Sequence, residues 1–113
     1  MNGIRGAIAT VENTENDILK STKELFNTIV ENNNLDISKI VSVIFTVTND
    51  LDAAFPAKAL RELGHSQLSA IDTKAPNVVN DLEGCIRVLV TYKDEIEVTH
   101  TYLGEAKNLR PDR

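Results

Sequence analysis

Arg87 sits inside the most apolar extended run of the chain, Cys85-Ile86-Arg87-Val88-Leu89-Val90. A guanidinium cannot shed its charge by losing a proton, so burial forces it onto a carboxylate, a phosphate or a set of carbonyls. Either the protein supplies that anion or a ligand does. Further cations fall on segments expected to be structured: Arg5 in an N-terminal strand, Lys58 and Arg61 on a short helix, and Arg110 before a proline. Lys58 and Arg61 are three apart and share a helical face, a spacing that by itself also fits a solvated surface pair. Forked guanidinium donors match carboxylates in bidentate geometry, so the set points to a small anionic ligand bearing carboxylates.

Other chemistries find no support in the residues. There is no glycine-rich phosphate loop, no paired-histidine metal motif and no serine in a nucleophile-elbow context. His65 and His100 are isolated, and the carboxylates are scattered over helix faces and turns. The expectation is therefore neither metal nor cofactor. An anion-binding protein of this kind can still be an enzyme if its reaction needs only conformational restraint and electrostatic help.

The elements that must hold these residues follow from periodicity. Residues 2–11 alternate as a strand, with Ile4 and Ile8 on one side and Gly3, Arg5, Ala7 and Ala9 on the other. The small residues leave room beside Arg5 for a ligand or another backbone. A helix is expected from Asn13 or Thr14 to about Glu31, with Glu15 and Asp17 complementing its dipole and Ile18, Leu25, Phe26 and Ile29 forming its core stripe. Ile40 to Thr48 reads as a central strand covered on both faces and paired beside the first strand. Leu51 to Leu63 reads as a short helix interrupted near Phe55-Pro56. Strands are expected at Gln67 to Asp72 and over residues 84–92 and 97–103. Within the second of these, Arg87 shares a face with Cys85 and Leu89, and neither face reads as open water. The order β-α-β-α-β-β-β predicts an α+β fold, a mixed sheet with helices packed on one side.

Composition sets the outer bounds. With 113 residues, 42% hydrophobic and 26% charged, the chain is expected to form one domain spanning 1–113. A domain this small gains from association with its own copies. The net charge of -5 argues against nucleic acid and anionic membrane as partners. A single cysteine excludes an intramolecular disulfide and reads as a packed thiol. No apolar stretch approaches the roughly 20 residues that span a bilayer, and no signal-peptide pattern opens the chain, so the cytoplasm is the expected location.

Four separated motifs then carry a resemblance. Ile4-Arg5-Gly6-Ala7, Asp52-Ala53-Ala54-Phe55-Pro56-Ala57-Lys58-Ala59 with Arg61, Cys85-Ile86-Arg87-Val88, and His100-Thr101-Tyr102-Leu103 with Leu109-Arg110-Pro111-Asp112 resemble the monofunctional, trimeric α/β-type chorismate mutases. The resemblance implies a homotrimer built as a pseudo-barrel, with active sites in clefts between subunits. It also implies the cofactor-free rearrangement of chorismate to prephenate, in aromatic amino acid biosynthesis from the shikimate pathway. By the same resemblance Arg87 faces the ether oxygen and a carboxylate, Arg5 holds the ligand's carboxylate, and Tyr102 adds a phenol hydrogen bond. Phe55, Ala57, Lys58 and Arg61 belong to the wall supplied by the adjoining subunit, with Arg110 near the mouth.

One departure accompanies the match. The family carries a glutamate just before its Cys-Ile-Arg strand that hydrogen-bonds the ring hydroxyl of the substrate. Here the stretch is Thr73-Lys74-Ala75-Pro76-Asn77-Val78, one residue shorter, with Ala75 or Pro76 at the glutamate's place. Asp72 and Asp81 lie nearby but match no motif position, so the resemblance gives them no role. An alternative function follows: a family member that binds or transforms a different cyclic carboxylate, or binds one without catalysis.

Overall fold

The N-terminal alternation becomes strand β1 (Asn2–Ala9) in the computed structural model, which describes residues 1–108. Helix α1 (Glu15–Asn33) follows, capped at its start by Thr14, whose Oγ accepts from Asp17 N at 3.1 Å while Asp17 Oδ2 accepts from Glu12 N at 2.7 Å. The helix ends where Asn34 turns left-handed at φ 50°, which lets Leu35 N reach Val30 O at 3.0 Å. Strand β2 (Ile40–Val47), helix α2 (Lys58–Glu62) and strands β3 (Ala70–Lys74), β4 (Ile86–Tyr92) and β5 (Thr101–Gly104) complete the fold.

The five strands lie in the order β3-β2-β4-β1-β5. β4 runs antiparallel to both β1 and β2, whereas β5 pairs with β1 and β3 with β2 in parallel. β2 is thus not beside β1, as the sequence suggested. Because α1 carries the chain between two parallel strands, it leaves a gap that β4 fills with an antiparallel ladder on each edge.

Helix α1 lies on one face of this sheet. Ile18, Leu25, Phe26 and Ile29 are fully buried there against Ile4, Val43, Phe45, Ile86 and Val90. Gly6 permits the close approach, since a Cβ at that position would lie 2.6 Å from Ile29 Cδ1 and 3.1 Å from Thr101 O. The mixed sheet with its helices on one side agrees with the sequence expectation. The opposite face is largely uncovered among the described residues, being closed only at one end where Ala7, Ala9 and Cys85 are buried against Ala106. Val41, Ile44 and Leu89 are exposed to 47%, 36% and 39%, so β2 and β4 are covered on one side only, contrary to the expectation for both strands.

Several helix and strand limits also differ. Leu51 to Ala57 is irregular and not helical, with Asp52 N and Ala53 N donating to the Asn13 Oδ1 atom, and α2 starts only after Pro56. Proline here opens a helix and interrupts none: Ala59 N already donates to Pro56 O. β3 begins three residues later than expected, at Ala70, and β5 begins at Thr101 because Asn33 and Asn2 side chains satisfy the backbone of Thr99 and Ile96 in place of a strand partner.

Candidate active site

Ladder register places the chemistry in rows across the uncovered face. Side chains directly opposite in a ladder point to the same side of the sheet. One row therefore runs Thr73, Thr46, Arg87, Ala7, Tyr102, and the next runs Ile71, Ile44, Leu89, Arg5. Arg87 and Tyr102 flank Ala7, two strand spacings or roughly 10 Å apart at the backbone. Arg5 stands one row away. An open hollow of about 580 Å³ lies over them, lined by Arg5, Ala7, Thr46, Arg87, Tyr102 and Asp81 among others.

Each of these side chains has a local reason for its place. Arg5 is fixed on β1, where its backbone N–H donates to His100 Nδ1 at 2.9 Å. Tyr102 packs on a cluster of small residues, Ala7, Ala9, Cys85 and Ala106. Cys85 is 1% exposed in this cluster, and burial pushes its thiol up, only partly opposed by the charge of Arg87. It is the packed thiol that the apolar run suggests.

Arg87 meets its anion inside the protomer: Nη2 donates to Asp81 Oδ2 at 3.3 Å, with the two side chains 33% and 30% exposed. Asp81 comes from the loop between β3 and β4. Sequence reasoning gave it no role, because an acidic residue six positions upstream is placed by loop conformation and no periodicity reports that. Ala75 itself is buried at the end of β3, where its N–H donates to Val47 O at 2.9 Å.

The remaining candidates gather elsewhere. Phe55 is 72% exposed, and with Lys58, Asp72 and Thr73 it lines a second hollow of about 470 Å³ that shares no lining residue with the first. Lys58 Nζ lies 3.6 Å from Glu15 Oε2. Ala57 N donates to Asp72 Oδ1 at 2.9 Å. Burial pushes the Asp72 carboxyl up, opposed by that Ala57 bond and by the charge of Arg61. The expected site residues thus fall into two groups in one protomer: Arg5, Arg87 and Tyr102 on the sheet, and Phe55, Ala57, Lys58 and Arg61 around α2. Arg110 lies outside the described residues.

Among the described residues, no group of three or more His, Cys, Asp or Glu side chains could hold a metal ion. None of the helices there is long and apolar enough to cross a membrane.

Known proteins share this arrangement of sequence and fold. The family described as chorismate mutase type I matches residues 1–113. Chorismate mutase AroH of Bacillus subtilis (strain 168) is 38% identical over 114 residues, covering 97% of this chain and 90% of that protein. Chorismate mutase AroH of Thermus thermophilus is 40% identical, with coverages of 97% and 93%. A solved structure of chorismate mutase from Clostridium thermocellum superposes with a TM-score of 0.91 at 38% identity, covering 95% of this chain and 98% of that one. A full-length family match, relatives near two-fifths identity and a common fold together place the chain in the type I chorismate mutase family.

Proposed function

We propose that the protein is a chorismate mutase, an isomerase that converts chorismate to prephenate by intramolecular pericyclic rearrangement. The observation that carries the reading is the meeting of Arg5, Arg87 and Tyr102 over one open hollow on the sheet. As the ether carbon–oxygen bond breaks, negative charge grows on the oxygen, and Arg87 stabilises it more in the transition state than in the ground state. Arg5 holds a carboxylate of the substrate, and Tyr102 donates a hydrogen bond. No nucleophile, base or cofactor is required, since the rearrangement breaks and forms bonds within one molecule.

The complete site needs a second copy of the chain. None of Phe55, Ala57, Lys58 and Arg61 lines the Arg87 hollow of its own protomer, and Phe55 and Lys58 line a separate one. In the proposed homotrimer they wall the site of the adjoining subunit, with Arg110 near its mouth. The uncovered sheet face supports this assembly, since Ile71, Ile44 and Leu89 form a row there exposed to 60%, 36% and 39%. The chain is proposed to act as a single domain in the cytoplasm, in the shikimate pathway leading to aromatic amino acids.

A second reading rests on Ala75 and Pro76, neither of which offers a carboxylate for a ring hydroxyl. On that reading the arginine grip persists and the ligand is another cyclic carboxylate. Following chorismate loss and prephenate formation with purified protein separates the two. Catalysed conversion supports the mutase; no rate above background at high enzyme concentration rejects it, and thermal-shift screening of cyclic carboxylates then tests the alternative.

A further inference from the structure

Among the described residues, Asp81 alone bonds the guanidinium of Arg87, from Nη2 to Oδ2 at 3.3 Å. The carboxylate is held from behind. Its Oδ1 accepts from Leu82 N at 2.9 Å, and Asp81 N donates to Val78 O at 3.2 Å. The loop presenting it is pinned at both ends: Ala75 N donates to Val47 O, Gly84 N donates to Asp50 Oδ2, and Val11 N donates to Gly84 O, each at 2.9 Å. Only glycine fits the last of these anchors, because φ is +59° there and a Cβ would lie 2.6 Å from Val11 O. Asp81 is therefore an acceptor whose direction is set before any ligand arrives.

Arginine carries five N–H donors in one rigid plane. A bond at one terminal nitrogen fixes the rotation of that plane and leaves the other donors for the hollow shared with Arg5 and Tyr102. We propose that Asp81 is a positioning residue for Arg87, holding the Nη2 edge of the guanidinium so that its remaining donors face the reacting oxygen of the substrate. This rests on the role of Arg87 given above.

Asp81→Asn keeps the side chain's size and can keep the acceptor for Leu82 N, but it turns an amide donor toward the guanidinium. A charge-assisted hydrogen bond is lost, so kcat is expected to fall by about tenfold or more while KM changes by less than about threefold. Restricted guanidinium rotation gives Arg87 resolved terminal-nitrogen signals in a side-chain proton–nitrogen correlation spectrum, and these are expected to average in the variant. If Asn does not fold, Asp81→Ser supplies the same two readouts. A merely structural Asp81 would lower the melting temperature yet leave both kcat, measured well below melting, and the Arg87 spectrum unchanged. That result would overturn the proposal. So would a lower KM with undiminished kcat, which would make Asp81 a competitor of the ligand. Should the wild-type protein show no mutase turnover, the functional reading fails by itself. The spectrum still decides for Asp81: averaged signals uphold its hold on Arg87, and unchanged signals refute it.

Discussion

Ala7 stands directly opposite Arg87 in the β1–β4 ladder and directly opposite Tyr102 in the β1–β5 ladder, so it forms the floor of the row between them. Ala7 is 1% exposed and has little room to grow. Ala7→Leu should overpack this floor, costing about 1–3 kcal/mol of stability, and should push a larger side chain into the hollow. The expected result is a folded protein of normal circular dichroism with a KM raised by about tenfold or more. A variant with wild-type KM would show that the space over Ala7 is not where the substrate lies.

Asp72 offers a pH test at the second group of residues. Burial raises its carboxyl, against the opposing Ala57 bond and Arg61 charge. A carboxyl with a raised folded value holds its proton more tightly when folded. Its contribution to stability is fully present below the unfolded pKa and is lost as pH rises through the folded one. Asp72→Asn keeps an acceptor for Ala57 N and removes the desolvated charge. The stability difference, variant minus wild type, should therefore shift in the variant's favour as pH rises through the window just above the ordinary carboxylate range. Denaturant unfolding across that range measures it, and a pH-independent difference would contradict the assigned burial.

How much of this was legible in the chain varies with the kind of signal. The alternation of Ile4 and Ile8 with Arg5 and Ala7 gave β1 and the face on which Arg5 lies. The cap candidates Asn13 and Thr14, with Glu15 and Asp17 in the first turn, gave the start of α1, because such signals are local. The motifs carried by Arg5, Phe55, Arg87 and Tyr102 gave the family. Strand order was not legible. Periodicity says which residues share a face but not that β4 inserts between β1 and β2, and that insertion is what brings Ala7 opposite Arg87. The Asp81 contact was hidden for the same reason, being set by a loop with no period. The open face of β4 was misread because apolar content alone does not report what covers a strand.

The row of Ile71, Ile44 and Leu89 carries the prediction for assembly. Ile71 lies on edge strand β3 and is 60% exposed, so Ile71→Asp should change the stability of the protomer by only about 0.5 kcal/mol. Placed within a subunit interface, the same charge would be desolvated without a partner. Light scattering coupled to size-exclusion chromatography should find a trimer for the wild type and smaller species for the variant, with mutase activity lost alongside. A wild-type monomer, or a variant trimer of equal stability, would be inconsistent with the proposed interface.

The most direct measurement is the mutase rate of Arg87→Ala and Arg87→Lys beside the wild-type protein. Removing a donor aimed at developing charge costs roughly 100- to 1000-fold in turnover, and Arg87→Ala should lose at least that much. Arg87→Lys should fail nearly as far, because a point charge does not replace a planar fork. The expected outcome is a wild-type protein that converts chorismate to prephenate and two folded variants that hardly do. Near-normal turnover in either variant would contradict the electrostatic role of Arg87.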